Sequence, residues 1–245
     1  MKKDRDAFGA ELLAQYSDLS RTISEIAERE DGFIAASPWP PRYFAGYHDW
    51  SKRERQAVRL VKGRVLDVGC GAGRFALHLQ KQGYEVTAID NSPGAVKVSR
   101  LRGVKKALLR PIEEIGKFPA RSFDSVIMMG NNFGLFGSFY KARRLLRDFA
   151  RITSPEGQII AQTMDPYQTK EPLHLAYHRR NRRRGRMAGQ IRIRIRHGKT
   201  IGPWFDYLLV SQNELKKIVS GTAWQVTRII SDTGPGYTVV LKKRR

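Results

Sequence analysis

The sequence lacks most of the features that stabilise or anchor a protein outside the cytoplasm. Its 245 residues include a single cysteine, Cys70, so no internal disulfide can form, and no Cys/His spacing is typical of a zinc site. No stretch approaches the ~18 apolar residues that a membrane-spanning helix needs. The first residues, MKKDRDAFGAELL, are charged and lack the apolar run of a secretion signal. These absences predict a cytoplasmic protein with no metal site, and the chain is long enough to bury a core without disulfides.

Acidic residues are also scarce. Lys and Arg number 45 against 23 Asp and Glu, which gives a formal net charge of +22. No acidic residue occurs between Glu171 and Asp206, where RRNRRRGR and IRIRIRHGK both fall. Such an excess favours an anionic partner, such as a nucleic acid or a phosphorylated substrate. The Ile/Arg alternation of residues 190–197 predicts a half-buried strand with its arginines facing outward, and a phosphate-binding platform is the alternative.

Residues 1–62 are predicted to form a helical cap followed by an aromatic loop. Apolar residues recur at spacings of four and three, which is typical of one amphipathic helix: Leu12, Tyr16, Leu19, Ile23 and Ile26. We interpret this stripe as a cap rather than a dimer seam. The segment from Ser37 to Trp50 contains three prolines and five aromatic residues, so it predicts an ordered loop that either covers a ligand or stacks on bases.

Strands and helices alternate from residue 63 onward. Apolar runs predict strands at 64–68, 85–89, 106–109, 123–129 and 157–163, and this alternation implies βαβ units and a parallel sheet. An insertion at about 166–210 is predicted to add two antiparallel strands against the main sheet, and a hairpin closes the chain. Helix starts are marked by two capping boxes and by a Ser-Pro pair: Ser51 with Glu54, Ser211 with Glu214, and Ser92 before Pro93.

A glycine-rich loop follows the first of these strands in VLDVGCGAGR. Glycine allows a positive φ and the close approach of a ligand to the backbone. A dinucleotide-binding loop would need its third glycine at position 74, which is Arg74, so the pattern departs from that fingerprint. In an open α/β sheet, this loop lies at the edge where ligands bind.

Two acids flank this loop. Asp90 ends the next strand, EVTAID, where a carboxylate can accept hydrogen bonds from both hydroxyls of a ribose. Asp67 precedes the loop and suits a cationic amino group better than a pyrophosphate. A ligand with adenosine, a ribose diol and an ammonium fits both acids, and S-adenosylmethionine has all three.

Three segments resemble motifs of the class I S-adenosylmethionine-dependent methyltransferases. VLDVGCGAG, AIDNSPGAV and FDSVIMMGNNFGLF are similar to the first, second and fourth motifs of that family. The basic segment and a GPWF strand also resemble a bacterial branch of it. The resemblance implies an α/β fold in which a Rossmann-like, seven-stranded sheet with one reversed strand carries helices on both faces. It assigns residues 63–245 to the methyltransferase domain, with the insertion inside it.

The resemblance also implies a set of cofactor-binding residues. Asp67 and the loop would contact the methionine part, Asp90 the ribose, and the residues after the second and third strands the adenosine. We interpret Cys70 as packing within the loop, since no histidine is placed to activate it. The complete predicted set is Asp67, Gly69, Cys70, Gly71, Gly73, Asp90, Asn91, Ser92, Ile112, Glu113, Gly130 and Asn131.

Methyl transfer needs an aligned acceptor more than a fixed catalytic triad, and no triad is visible. The loop GNNFGLF is similar to that of N-methyltransferases acting on small molecules and lacks the two prolines common in nucleic-acid amino methyltransferases. Weak candidates for a catalytic role are Asn131, Tyr167 and His178. The predicted function is methyl transfer to a nitrogen or oxygen atom of a small molecule. The positive net charge of the chain favours an anionic acceptor.

Two alternatives use the basic segment 179–199. The chain could methylate RNA, or it could bind nucleic acid without catalysis on the same fold. Both alternatives would depend on the same arginines: Arg179, Arg180, Arg182, Arg183, Arg184 and Arg186.

Overall fold

The computed structural model describes residues 5–20, 23–38 and 40–244, so Trp39 of the aromatic loop lies outside the described residues. Its strands are β1 Glu25–Arg29, β2 Ile34–Ser37, β3 Val65–Val68, β4 Val86–Asp90, β5 Ala107–Leu109, β6 Phe123–Met128, β7 Thr153–Met164, β8 Gln190–His197, β9 Thr200–Ile201, β10 Phe205–Leu208, β11 Trp224–Ser231 and β12 Gly236–Lys243. Its α-helices are α1 Ala7–Ser17, α2 Lys52–Val58, α3 Arg74–Lys81, α4 Pro93–Leu101, α5 Phe139–Ile152, α6 Pro172–Arg183 and α7 Gln212–Val219.

Seven strands form the main sheet in the order β11-β12-β7-β6-β3-β4-β5. The strands β3 to β7 pair in parallel, whereas β12 pairs antiparallel with both β7 and β11. Only β12 is therefore reversed, and the predicted Rossmann-like sheet of seven strands is confirmed. The strand order reverses between β3 and β6, which places a ligand crevice at their carboxyl ends.

Both faces of this sheet are buried, as expected when helices cover a parallel sheet on two sides. All residues of β3 and β4 are buried. Leu66 lies in the core that includes Leu145 of α5, whereas its neighbour Val65 lies in the core that includes Leu79 of α3. The alternation of side chains along a strand thus supplies both cores from one short apolar run.

A second sheet covers the carboxyl edge of the first. It has the order β10-β8-β1-β2, with β9 paired to β8. The two predicted strands of the insertion do pair with each other, with Phe205 opposite Ile193. However, the insertion was predicted to lie against the main sheet, and its strands do not pair with that sheet. The other edge of β8 pairs instead with the N-terminal strand β1.

The single predicted N-terminal helix is also wrong beyond Ser17. Asp18 is extended, Leu19 is exposed, and Ile26 lies in β1 opposite Arg196. The first 62 residues are thus a mixed unit of helix and strand rather than a helical cap. Local periodicity could not reveal this, because β1 pairs on one side with the adjacent β2 and on the other with β8, a strand about 170 residues further along the chain.

The arginines of β8 are neutralised within the second sheet. Arg194 and Arg196 form ion pairs with Glu28 of β1, and Arg192 pairs with Asp206 of β10. The outward-facing arginines expected from the alternation are therefore bound by acids of the neighbouring strands. Among the described helices, none combines the length and the apolar character required to cross a bilayer.

The helices α2 and α3 are joined by a nearly buried ion pair between Glu54 and Arg74, with 2.5 Å between Oε1 and Nη2. Glu54 also completes the predicted capping box with Ser51. Burial raises the pKa of Glu54, but Arg74 and the bonds from Ser51 outweigh it and leave the pKa below its ordinary value. The pair therefore stabilises the fold above the ordinary pKa of a carboxyl and loses its effect as the pH falls.

We expect Glu54→Ala to lower the free energy of unfolding by about 3 kcal/mol near pH 7, because it leaves a buried guanidinium unpaired. Urea unfolding measures this. The difference from the wild type should shrink as the solution is acidified. The matched control is Glu114→Ala, which removes an exposed pair with Lys117 and should cost less than about 1 kcal/mol. Equal losses for the two variants would contradict the assignment.

Candidate functional site

The glycine loop lies at the carboxyl end of β3 and consists largely of bare backbone. Its three glycines have φ values of 73°, 55° and 78°, in the left-handed region that favours glycine. A Cβ atom at Gly69 would lie 2.6 Å from Nδ2 of Asn132. That amide donates to the carbonyls of Val68 and Gly69 at 3.0 and 2.7 Å. Only glycine therefore allows the β6 loop to approach and hold this turn.

Asp67 is buried beneath the loop with a polar atom left over. Its side chain is only 2% exposed, and its Oδ2 has no hydrogen-bond partner. Burial, and secondly the nearby Asp90, raises the pKa of this carboxyl to about 7. A buried carboxylate oxygen without a partner is costly, so the site fits a ligand that brings a hydrogen-bond donor or a positive charge.

Asp90 closes the other side of the loop. Its two oxygens accept the backbone N–H groups of Gly71 at 2.9 Å and Ser92 at 3.0 Å. Burial raises its pKa to about 6, although these backbone bonds oppose the shift. A carboxylate oxygen can accept more than one hydrogen bond, so Asp90 keeps acceptor capacity for a ligand hydroxyl.

Aromatic rings lie over the loop on the side away from the sheet. A Cβ atom at Gly71 would lie 3.7 Å from Cδ1 of Tyr43 and 3.8 Å from Cζ of Phe8. These two rings contact each other edge to face, with centroids 5.5 Å apart. Phe8 lies on α1, and Tyr43 lies in the 3₁₀ segment Pro40–Phe44. We call the structure that covers the loop the roof. It consists of part of α1, the segment Pro40–Phe44 and the second sheet.

Comparison with known proteins agrees with this geometry. Residues 66–161 match a family described as "Methyltransferase domain". A ubiquinone biosynthesis O-methyltransferase of Xanthomonas oryzae is 32% identical over 111 residues, which are 43% of this chain and 45% of that protein. The chain thus spans less than half the length of the curated relatives that it matches.

Solved structures extend the similarity to nearly the whole chain. A SAM-dependent methyltransferase from Bacteroides fragilis, in complex with S-adenosylhomocysteine, has a TM-score of 0.83 at 25% identity and covers 99% of this chain and 97% of its own. A Methanosarcina mazei protein of the same description has a TM-score of 0.61 at 18% identity, covering 80% of this chain and 98% of its own, and shows the shared fold alone.

The matched methyltransferase domain and the similar structure with bound S-adenosylhomocysteine support the class I S-adenosylmethionine-dependent methyltransferase family for this chain. The predicted family and the predicted cofactor, S-adenosylmethionine, are confirmed. The free oxygen of Asp67 and the bare loop fit the ammonium of that cofactor, and Asp90 fits its ribose.

The remaining residues of the predicted cofactor set differ in their surroundings. Ser92 is committed to structure, because its hydroxyl caps α4 and donates to Asp6 at 2.9 Å. Asn91 is exposed beside it. Cys70 is buried with Sγ 3.6 Å from the hydroxyl of Ser99, and burial keeps the pKa of its thiol well above the ordinary value, which suits a packing role.

The predicted adenine contacts separate into two environments. Ile112 is buried, whereas Glu113 is half-exposed and pairs with Lys141 of α5 at 2.5 Å. In the loop after β6, Gly130 donates its N–H to Oε1 of Gln162 at 2.7 Å. Asn131 has a left-handed backbone with φ of 66°.

The weak catalytic candidates do not form one cluster. The carbonyl of Asn131 accepts the hydroxyl of Tyr207 at 2.6 Å, beside the glycine loop. Tyr167 instead donates to Glu214 of α7 at 2.8 Å, which with burial raises its pKa to about 12. His178 packs beside Tyr167, with ring centroids 6.0 Å apart, and burial lowers its pKa.

Several residues near the loop have roles that the sequence did not assign. Asn132 and Gln162 position the glycine loop and the β6 loop, but an Asn-Gly-rich turn and a strand glutamine are common features. Among the described residues of the aromatic loop, only Tyr43 reaches Gly71, since Tyr47 stacks on His78 of α3 and Trp50 is buried. The acids Glu11 and Glu25, on α1 and β1, were missed because both lie in a segment whose fold was mispredicted.

We expect the affinity for S-adenosylhomocysteine to rise as the pH increases from about 6 to about 8. A pKa of about 7 leaves Asp67 partly protonated over this range, and only its carboxylate attracts the ligand ammonium. Conversely, the stability of the ligand-free protein should fall as the pH rises from about 4 to about 7, because the folded state binds more protons than the unfolded state. Isothermal titration and thermal unfolding measure the two trends.

Asp67→Asn should abolish the pH dependence of the affinity and weaken binding by roughly 10- to 100-fold, the effect of losing one bond to a charged group. It should only reduce the pH dependence of stability, because the raised pKa values of Asp90 and Glu11 contribute to the same trend. Asp124→Asn is the control, because Asp124 pairs with Arg64 at the amino ends of β3 and β6 and its pKa already lies at about 2. An affinity that is independent of pH in the wild type would reject the role of Asp67.

Proposed function

We propose that this protein transfers the methyl group of S-adenosylmethionine to a nitrogen or oxygen atom of a small-molecule acceptor. The observation that carries this proposal is the roof. The rings of Phe8 and Tyr43 lie so close over Gly71 that a Cβ atom there would touch both of them, and Tyr207 of β10 connects the roof to the β6 loop. A site closed in this way suits a compact acceptor better than a polymer.

In this proposal, Asp67 binds the cofactor ammonium, Asp90 accepts hydrogen bonds from the ribose, and the glycine loop passes close to the methionine part. The bound cofactor supplies a methyl group on a sulfonium, which needs no acid to assist its departure. The protein then has two tasks, which are to hold the acceptor atom in line and to exclude water. The roof serves both tasks.

The expectation of an anionic acceptor rests on net charge alone. The arginines of β8 that would receive such an acceptor already pair with Glu28 and Asp206. The curated relatives are O-methyltransferases of ubiquinone biosynthesis by name. Their similarity covers less than half of either chain, so it supports a small acceptor without identifying one.

RNA methylation remains the alternative, supported by the last turns of α6. Four of the arginines predicted to contact RNA are exposed there, and two are half-buried. The exposed arginines are Arg179, Arg182, Arg183 and Arg184, and the half-buried ones are Arg180 and Arg186.

The proposal is tested by incubating the protein with cofactor carrying a radiolabelled methyl group and a cell lysate separated into small-molecule, RNA and protein fractions. We expect label in the small-molecule fraction. Asp67→Asn should reduce that label by at least about tenfold, in line with the loss of one charge-assisted contact.

A variant with the four exposed α6 arginines changed to glutamine separates the alternatives. It should label small molecules as the wild type does. Label in RNA that this variant loses would overturn the proposal in favour of RNA methylation, and cofactor binding without any transferred label would favour a non-catalytic protein.

A further inference from the structure

Glu11 of α1 is an unusual buried acid. Its side chain is 0% exposed, and neither carboxyl oxygen has a hydrogen-bond partner. Burial, together with the charge of Glu25, raises its pKa to about 9. Of all charged side chains, carboxylates are among the least often fully buried without a partner. The fold therefore keeps an acid at a position where a neutral residue would cost less.

A second acid lies beside it. Glu25 begins β1, and its Oε2 accepts the hydroxyl of Tyr43 at 2.9 Å. The same Tyr43 ring covers Gly71 of the glycine loop. Burial and the charges of both glutamates raise the pKa of Tyr43, and Glu25 also raises the pKa of Tyr207. Glu25 thus contacts Tyr43 beside the glycine loop, and Glu11 lies close enough to both for its charge to act on them. Tyr207 donates to the carbonyl of Asn131 in the β6 loop.

No basic side chain balances this pair. Among the described residues, none of the lysines or arginines forms an ion pair with Glu11 or Glu25, although the whole chain has 45 such residues and a net charge of +22. By contrast, Glu28 on the same strand has two arginine partners. Glu28 is thus paired with arginines, whereas Glu25 and Glu11, the described acids under the roof, have no such pair.

We infer that Glu11 and Glu25 form the acceptor subsite of this enzyme and that its acceptor is a small amine, bound as the ammonium. This inference rests on the proposed function and narrows it from nitrogen or oxygen to nitrogen. Tyr43 fixes the Glu25 carboxylate, and the Tyr43 ring offers a π-face for a cation. The charge of this subsite is negative, whereas the net charge of the whole chain is positive.

The acids also provide a group that can remove a proton from the acceptor nitrogen. An ammonium has no lone pair, so one proton must leave the nitrogen before it can attack. Glu11 holds a proton in the ligand-free protein, because its pKa is about 9, and it releases that proton when the ammonium binds beside it. One carboxylate of the pair then takes a proton from the nitrogen. The nitrogen lone pair then forms the new N–C bond while the C–S bond breaks, and its electron pair returns to sulfur. Positive charge passes from the sulfonium to the methylated amine, which the remaining carboxylate stabilises.

The test uses wild-type protein saturated with S-adenosylhomocysteine, at about 0.15 M salt to screen the surface charge. Matched probes differ only in their charged end: methylammonium against acetate, and tyramine against 3-(4-hydroxyphenyl)propionate. Isothermal titration and thermal shift measure binding. We expect at least one amine to bind at least tenfold more tightly than its carboxylate partner, although the net charge of the protein favours the anion.

Three variants make the result specific. Glu11→Gln and Glu25→Gln should each reduce amine affinity by roughly 10- to 100-fold. Glu11→Gln should also raise the melting temperature of the ligand-free protein, because it removes an uncompensated buried acid. Glu28→Gln, the matched control on β1, should leave amine binding unchanged and lower the melting temperature, since it breaks pairs with Arg194 and Arg196.

The failures are distinguishable. If S-adenosylhomocysteine does not bind the wild type, the proposed function fails. If it binds but no amine is preferred over its carboxylate partner, or if Glu11→Gln lowers the melting temperature and leaves amine affinity unchanged, the subsite is overturned while the proposed function stands.

Discussion

Two carboxylates buried at neighbouring strand ends are the constraint on which this structure depends. Asp67 and Asp90 lie near the carboxyl ends of the parallel strands β3 and β4, so the sheet geometry brings them to one edge, on either side of a loop with three glycines. Burial raises the pKa of both carboxyls, which means that holding these two acids at the sheet edge lowers the free energy of unfolding. The cores on both faces of the sheet, dense with Leu, Ile, Val and Phe, supply the stability that offsets this cost.

The N-terminal segment is connected to the same edge by a third acid. Asp6 accepts the hydroxyl of Ser92 and the N–H of Gly94, at the start of α4, and also caps α1 through Gly9. The chain of contacts from Asp90 through Ser92 to Asp6 therefore fixes α1, and with it Phe8 and Glu11, relative to Asp90. The roof and the cofactor edge form one hydrogen-bonded unit although they lie far apart in the sequence.

The sequence predicted what local patterns encode. The strand alternation, the capping boxes at Ser51 and Ser211 and the glycine loop all depend on residues within a few positions of one another, and the structure contains them as expected. The roof could not be predicted in this way. The strand β1 pairs with β8, and the helix α1 that carries the buried Glu11 packs against β8 and α4, so both features follow from long-range contacts that no local period records.

The contrast between Glu28 and Glu25 shows why net charge is a weak guide to the acceptor. Both acids lie on β1, yet one is paired with two arginines of β8 and the other with a tyrosine hydroxyl beside the glycine loop. Surface arginines act through water and salt, which screen them within about 10 Å. A buried carboxylate acts in a medium of low effective dielectric, where one unpaired charge outweighs several exposed ones. Recognition in a closed site therefore follows the few groups that are removed from water, even when the rest of the molecule carries the opposite charge.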